Sequence, residues 1–97
     1  MGNSGHKIRV PHDVAEFIRG LHPHLKRKVR ASLKIIISSP SDGKPLRDEL
    51  AGLRSFRVGT FRIVYRVLSG EVEIVAIGPR ERIYEETYLL IRRGDRA

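Results

Sequence analysis

The sequence predicts a small α+β domain in which a helical hairpin packs on one face of a mostly antiparallel, four-stranded twisted sheet. Three observations predict this class. The chain has 97 residues, which is the size of one domain. Apolar residues recur at helical spacing through residues 14–37 and alternate with polar residues through residues 61–68. Each predicted helix carries one apolar stripe, so both helices are expected to pack on the same sheet face.

The first half of the chain predicts one strand and two helices. Residues 6–11 (HKIRVP) indicate a short strand that Pro11 ends. The first helix is indicated by apolar residues at helical spacing, namely Val14, Phe17, Ile18 and Leu21. Pro23 separates it from a second helix, whose apolar stripe is Leu25, Val29, Leu33, Ile36 and Ile37. The short connection predicts a helical hairpin.

The second half predicts a meander of three strands. Turn-forming residues fill 38–46, and residues 47–53 indicate an irregular segment or one helical turn. Strands follow at 55–58, 61–68 and 72–78. Alternation in the middle strand places Phe61, Ile63, Tyr65 and Val67 on one face, and the helices are expected to cover the part that bears Phe61, Ile63 and Tyr65. The other set is expected on the opposite face, which neither helix covers: Arg62, Val64, Arg66 and Leu68.

The chain is expected to have three parts: a loosely ordered tail at residues 1–7, a domain at residues 8–91 and a polar tail at residues 92–97. Within the domain, the residues after Pro79 combine extended and helical patterns. The amino terminus lacks the apolar segment of a secretory signal, and no apolar run reaches the ~20 residues that a membrane span needs. The chain has no cysteine, which excludes disulfides and a thiolate zinc site and fits a cytoplasmic protein.

The charge of the chain predicts a polyanionic partner. The formal net charge is +8. Four arginines fall between Leu53 and Val67, and no Asp or Glu occurs between Glu49 and Glu71 to pair with them. Such a cluster favours an anion, and guanidinium matches phosphate with a two-pronged geometry. A solvated sheet face, on which arginine stems cover apolar surface, is the alternative.

Patterns for other chemistry are weak or absent. His22 and His24 flank Pro23, but no cysteine or second histidine pair accompanies them, so no metal site is expected. The chain has no cysteine nucleophile and no serine in a G-x-S-x-G setting. Any catalysis is therefore expected to use basic residues and tyrosine, without a cofactor.

Two segments resemble the RelE branch of the RelE/ParE toxin superfamily. LRSFRVGTFRIVYRV (residues 53–67) is similar to the family's R-V-G-x-Y/F-R-I/V-x-Y core. IGPRERIY (residues 77–84) is similar to its G-x-R-x-x-x-Y segment. The resemblance covers about residues 8–88 and includes the order of one strand, two helices and three strands. It implies a RelE-like fold.

The resemblance also implies a function. RelE toxins of type II toxin–antitoxin systems enter the ribosomal A site and cut mRNA there without a metal ion. The mRNA 2′-hydroxyl attacks the adjacent phosphate and leaves a 2′,3′-cyclic phosphate, and translation stops. A cognate antitoxin wraps the toxin and blocks it. The implied partners are an antitoxin, the ribosome and mRNA, with no membrane and no small-molecule cofactor.

Site residues follow from the resemblance one by one. Arg62 matches the arginine of the core, and Arg80 matches the arginine of the second segment. Tyr84 matches the tyrosine that, in the family, stacks on a base or assists proton transfer. Arg57 falls near a catalytic lysine of some members. The residues expected to bind RNA or the ribosome are basic: Lys26, Arg27, Arg30, Lys34, Lys44, Arg47, Arg54 and Arg66.

The general base and the target stay open at the level of sequence. Well-studied members carry lysines where this chain has Arg54 and Arg57, and arginine is a poor base because its pKa exceeds ~12. Glu81 and Tyr84 are candidates for the base, and Tyr88 competes with Tyr84. The alternative functions are a ParE-type inhibitor of DNA gyrase without RNase activity, and a degenerate toxin that only binds an antitoxin.

Overall fold

A computed structural model describes residues 6–94 of the chain. Within this range the chain forms β1 (Lys7–Arg9), α1 (His12–Arg19), α2 (Pro23–Ser38), β2 (Lys44–Pro45), β3 (Arg54–Val58), β4 (Phe61–Leu68), β5 (Glu71–Pro79) and α3 (Arg80–Arg92). Single-turn 3-10 helices lie at Pro40–Asp42 and Asp48–Leu50. Residues 1–5 and 95–97 of the predicted tails lie outside the described residues. None of the helices in residues 6–94 has the length and apolarity that crossing a membrane requires.

The strands of this region form one mixed sheet in the order β1-β5-β4-β3-β2. β1 pairs with β5 in parallel, and the other neighbours pair antiparallel. The predicted α+β class is confirmed, but the predicted count of four strands is one too few. Lys44 and Pro45, which were expected in a turn, pair with Ser55 and Arg54 at the sheet edge. Proline is tolerated there because one side of an edge strand needs no ladder hydrogen bonds.

One face of the sheet packs against α1 and α2, as their apolar stripes predict. The buried residues of this core include Val14 of α1, Val29 and Ile36 of α2, and Ile63 and Tyr65 of β4. Full burial of an aliphatic or aromatic side chain contributes about 1.5–3 kcal/mol. The predicted orientation of β4 is confirmed, because the alternation that buries Tyr65 here directs Arg62 and Arg66 to the other face.

The other face packs against α3, which the sequence did not predict. Residues 80–92 are helical throughout rather than partly extended. Ile83 of α3 is buried against Val64 of β4 and against Val75 and Ala76 of β5. A β-bulge makes Val75 an extra residue of β5, so Val75 and Ala76 both belong to this second core. The expectation of an uncovered face is therefore wrong, because α3 covers the part that β4 and β5 form.

The Tyr65 hydroxyl holds the segment that leads from α2 to β3. It donates a hydrogen bond to the carbonyl of Pro40 (2.6 Å) and accepts one from the N–H of Gly43 (2.9 Å). Arg54 supports the same segment, since its Nη1 donates to the carbonyls of Gly43 (2.8 Å) and Ser41 (3.2 Å). Burial raises the pKa of the Tyr65 phenol, and this effect exceeds the lowering by the Gly43 N–H and the Arg54 charge.

The raised pKa of Tyr65 predicts a loss of stability in alkali. Above about pH 10 the phenol ionises in the unfolded chain while it stays protonated in the folded protein. The unfolded state then binds fewer protons, so the free energy of unfolding falls as the pH rises from about 10 through the folded-state pKa. Urea unfolding at about pH 8 and about pH 11 measures this slope.

Tyr65→Phe is the control for the alkaline slope. This variant lacks the hydroxyl and its two hydrogen bonds, so it is expected to be less stable than the wild type at neutral pH. It has no phenol at this position, so the loss that the wild type shows above about pH 10 should be reduced. The same slope in both proteins would contradict the assignment.

His22 and His24 form a hydrogen bond at the start of α2. His22 precedes the helix, and its Nδ1 accepts the backbone N–H of His24 at 3.2 Å. Pro23 occupies the first turn, where its missing N–H would have had no partner within the helix. His22 therefore acts as a helix cap, which satisfies one of the free N–H groups at the helix start.

Candidate functional site

Arg57 and Arg62 lie directly opposite each other on β3 and β4. Residues opposed in this way share one face of the sheet, with Cβ atoms about 4.5–5.5 Å apart, and like charges at that spacing repel. Gly59 fixes this register, because its φ of +61° allows the tight turn that joins the two strands. The pairing therefore creates a positive site that an anion would stabilise.

The two arginines line a cavity of about 160 Å³. Its other lining residues are Gly59, Thr60, Phe61, Arg80 and Glu81. Three of the four expected catalytic residues, Arg57, Arg62 and Arg80, thus meet around one space, although β3, β4 and α3 supply them separately. Among the described residues that line the cavity, Glu81 is the one carboxylate.

The first turn of α3 brings Arg80 and Glu81 to the cavity. The backbone N–H of Arg80 donates to the carbonyl of Thr60 at 3.0 Å, which joins the start of α3 to the β3–β4 turn. The free N–H groups at a helix start carry the positive end of the helix dipole. This partial charge adds to the positive potential of the three arginines.

The guanidinium group of Arg62 has one nitrogen held by a hydrogen bond and another without an acceptor. Its Nη1 donates to Ser55 Oγ at 3.2 Å. Its Nε is buried and finds no acceptor among residues 6–94. Nε and Nη2 form the edge that lies away from this bond, and that edge can give two parallel N–H donors to a phosphate or carboxylate. A buried donor without an acceptor costs about 1–3 kcal/mol, and an acceptor on a ligand would remove this cost.

Tyr84 reaches the same site through Ser55. From α3, the Tyr84 hydroxyl donates a hydrogen bond to Ser55 Oγ at 3.1 Å. Ser55 is buried and accepts from Tyr84 and Arg62 together. Tyr88 lies elsewhere on α3, where its ring faces the guanidinium group of Arg92 at 5.8 Å. The geometry therefore favours Tyr84 over Tyr88 as the tyrosine of the site.

Arg54 and Arg66 make other contacts. Arg54 lies on the face that packs against α1 and α2, where it binds the loop carbonyls described above. Arg66 forms an ion pair with Glu73, with 2.6 Å between Nε and Oε1. Arg9 of β1 approaches the other oxygen of that carboxylate at 3.8 Å. The expectation that the strand arginines have no acidic partner is therefore wrong for Arg66, since Glu73 lies directly opposite it on β5.

The remaining basic residues of the prediction do not line the arginine cavity. The predicted docking residues on α2 are exposed or half-buried: Lys26, Arg27, Arg30 and Lys34. α2 packs on the face that bears Tyr65, whereas Arg57 and Arg62 belong to the opposite face. Lys44 and Arg47 line an open depression of about 660 Å³ beside the edge strand β2. The structure thus separates the α2 charges from the arginine cavity, whereas Lys44 lies directly opposite Ser55, on the sheet face that bears this cavity.

The sequence predicted no role for Ser55, although it carried a signal. Ser55 precedes Arg57 by two residues in a strand, so alternation places both on one face. Its contact with Tyr84 joins residues that are 29 positions apart, and only the packing of α3 reveals it. Glu81 was a candidate base, and its place beside the arginines depends on where α3 begins.

Residues 11–84 match the sequence model of a family described as the ParE toxin of type II toxin-antitoxin system, parDE. The chain is also similar to a curated protein, Toxin RelE of Mycobacterium tuberculosis, with 48% identity over 44 residues. That alignment covers 43% of this chain and 45% of the relative, so it spans less than half of the relative's length.

Two solved structures share the fold of this chain. A chain of the toxin–antitoxin complex RelBE2 from Mycobacterium tuberculosis superposes with a TM-score of 0.71 and 29% identity, over 81% of this chain and 95% of that chain. A mutant of E. coli toxin RelE in the free state superposes with a TM-score of 0.73 and 18% identity, over 92% of this chain and 97% of that chain.

Proposed function

The chain belongs to the RelE/ParE superfamily of type II toxins, and from this premise we propose that it is a metal-independent endoribonuclease that cuts mRNA in the ribosomal A site. The observation that carries this proposal is the cavity where Arg57, Arg62 and Arg80 converge, with the buried Nε donor of Arg62 left without an acceptor among residues 6–94. A protein that only docks on a partner needs positive charge. It does not need a buried donor held in one orientation by a second residue.

The proposed reaction transfers a phosphoryl group within the RNA, from the 5′-oxygen of one nucleotide to the 2′-oxygen of its neighbour. The 2′-oxygen of one nucleotide attacks the adjacent phosphorus, and the bond from phosphorus to the 5′-oxygen breaks. A base takes the proton of the 2′-hydroxyl, and an acid protonates the leaving 5′-oxygen, so the products are a 2′,3′-cyclic phosphate and a 5′-hydroxyl. Negative charge grows on the nonbridging oxygens during the attack. The Nε–Nη2 edge of Arg62 binds these oxygens, and Arg57 and Arg80 add positive charge.

Glu81 and Tyr84 are proposed to move the two protons. Glu81 lines the cavity, and its carboxylate can accept the proton of the 2′-hydroxyl. The arginines cannot do so, because guanidinium is not deprotonated in proteins. Tyr84 carries a hydroxyl proton and is joined to Arg62 through Ser55. The proposed base is therefore Glu81 and the proposed acid is Tyr84.

The distribution of charge supports the ribosome as the partner that presents the mRNA. The domain measures 38 × 32 × 22 Å, and the basic residues of α2 lie on the side opposite Arg57 and Arg62. A single RNA strand in the cavity would not contact both sides, whereas a partner that encloses the domain would. Phosphate contacts spread over many charges make such docking dependent on salt. This partner would place the action of the toxin in the cytoplasm.

A cognate antitoxin is the second proposed partner, since a solved relative is a toxin–antitoxin complex. In this chain a groove of about 280 Å³ lies between α1 and α2. Its lining combines apolar residues such as Ile18 and Leu33 with the cations Arg19, Lys26 and Arg30. An amphipathic segment with acidic residues would complement both the apolar and the charged parts.

A ParE-type inhibitor of DNA gyrase is the second candidate function, and the name of the matching family model favours it. Such an inhibitor would share the fold and the positive charge. It would not require Arg62, Ser55 and Tyr84 to be arranged for attack on a phosphate. Cleavage of RNA therefore distinguishes the two functions.

Primer extension on mRNA bound to purified ribosomes tests the proposal. We expect cleavage within the A-site codon by the wild-type protein, and fragments that end in a 2′,3′-cyclic phosphate. The matched control is the same mRNA without ribosomes, which should stay intact. Purified gyrase and plasmid DNA are treated in parallel. Intact mRNA together with gyrase-dependent DNA breaks would support the ParE-type function. Intact mRNA and intact DNA would support a degenerate toxin that only binds its antitoxin.

A further inference from the structure

Ser55 is a buried hydroxyl that joins two site residues from different elements. Its Oγ accepts hydrogen bonds from Arg62 Nη1 at 3.2 Å and from Tyr84 Oη at 3.1 Å. Ser55 is only 2% exposed, so bulk water does not replace either hydrogen bond. Ser55 belongs to β3, Arg62 to β4 and Tyr84 to α3. The three side chains meet because α3 packs against this face of the sheet.

We infer that Ser55 is a positioning residue, which orients the Arg62 guanidinium group for the scissile phosphate and connects the Tyr84 hydroxyl to that group. The inference rests on the proposed RNA cleavage. An arginine side chain has many rotamers, and a hydrogen bond at Nη1 selects one orientation of the guanidinium plane. With Nη1 bound to Ser55, the Nε and Nη2 donors are the pair left for the phosphate.

Ser55 also suits the proton transfer proposed for Tyr84. In the structure the Tyr84 hydroxyl donates its proton in a hydrogen bond to Ser55 Oγ. When Tyr84 gives this proton to the 5′-oxygen, it becomes a phenolate. A serine hydroxyl can turn from acceptor to donor, so Ser55 can then donate its own hydrogen bond to the phenolate. Alanine at this position could neither accept a hydrogen bond from the Tyr84 hydroxyl nor donate one to the phenolate.

Single-turnover cleavage on programmed ribosomes tests this role. Ser55→Ala is expected to lower the maximal rate about 10–100-fold, because the reacting groups lose their fixed geometry. The protein concentration at half-saturation should stay the same, since the docking charges lie on α2. Ser55→Thr keeps the hydroxyl and should restore most of the rate. A higher half-saturating concentration with an unchanged maximal rate would overturn the inference.

Ser32→Ala is the matched control. Ser32 is also a buried serine, and its Oγ donates to the carbonyl of Lys28 at 2.9 Å, within α2 and away from the cavity. Its loss removes a buried hydroxyl without touching Arg62 or Tyr84, so the rate should stay within about twofold of wild type. If Ser32→Ala slows cleavage as much as Ser55→Ala does, the effect belongs to general stability and the inference is wrong.

A double-mutant cycle tests the coupling to Tyr84. In a Tyr84→Phe background one of the two partners of Ser55 is already lost. Ser55→Ala should therefore lower the rate by a smaller factor there than in the wild type. The same factor in both backgrounds would show that Ser55 does not act through Tyr84, and it would overturn that half of the inference.

A measurement without RNA separates this inference from the proposed function. The Nε–H signal of Arg62 in a proton–nitrogen NMR spectrum is assigned by its absence in Arg62→Ala. In Ser55→Ala it should shift and should exchange faster with water, because the guanidinium group is released. An unchanged signal overturns the inference even if the wild type cuts mRNA. A changed signal in a protein that cuts no mRNA supports the positioning of Arg62 and overturns the proposed cleavage.

Discussion

Replacing Arg62 with alanine is expected to lower the single-turnover rate of mRNA cleavage on ribosomes by about 10²–10³, which corresponds to ~3–4 kcal/mol. In the proposed reaction the Nε edge of Arg62 is a preorganised donor for the charge that develops on the phosphate oxygens. Docking on the ribosome should persist, because the exposed charges of α2 are unchanged. Rapid-quench cleavage measures the rate, and co-sedimentation with ribosomes measures the docking.

Two variants show whether the effect comes from geometry or from net charge. Arg62→Lys keeps the charge but loses the two-pronged edge, so it should recover little of the rate. Arg82→Ala removes one positive charge from an exposed position of α3 that does not line the cavity, and it should cut mRNA at nearly the wild-type rate. A loss in Arg82→Ala as large as that in Arg62→Ala would mean that bulk charge, rather than the Arg62 edge, drives the reaction.

Replacing Gly43 with alanine is expected to lower the free energy of unfolding by about 3 kcal/mol. A Cβ at this position would lie 2.8 Å from the Cε1 and Cζ atoms of Tyr65 and closer still to its Oη. Tyr65 is fully buried, so its ring can yield only by disturbing the core. Its displaced hydroxyl would also lose the bonds to Pro40 and Gly43. Urea unfolding measures the change.

Gly20→Ala is the matched control for Gly43→Ala. Both glycines have a negative φ, −85° at Gly20 and −71° at Gly43, so an alanine backbone fits at either position. The nearest atoms to a Cβ at Gly20 are 3.8 Å away, which is an ordinary contact. The control should be as stable as the wild type or more stable by about 0.4–1 kcal/mol. Equal stability of the two variants would contradict the predicted clash at Gly43.

Much of the fold could be predicted because it depends on local periodicity. The apolar stripes of α1 and α2 are properties of short segments, and so is the alternation along β4. That alternation was enough to predict that Ile63 and Tyr65 lie under the hairpin while Arg62 faces away. The wrong predictions of secondary structure fell in segments whose residue pattern was ambiguous. β2 has two residues, and the apolar spacing after Pro79 fits both an extended and a helical segment.

The sequence by itself also determined which residues could form the site. The two motifs selected Arg57, Arg62 and Arg80, and the structure brings these three around one cavity. The motif of residues 77–84 selected Tyr84 as well, although the tyrosine does not line the cavity. Its connection to the site passes through Ser55, to which no motif pointed.

Only the tertiary structure decided what each arginine contacts. Arg54, Arg62 and Arg66 come from one basic segment, yet they bind loop carbonyls, a buried serine and a carboxylate, respectively. Alternation along a strand sets the face to which a side chain belongs, but it does not set what lies opposite. That depends on the register between strands, on the bulge at Val75 and on the packing of α3. Contacts between residues far apart in the chain form only when these elements pack together, so no short pattern encodes them.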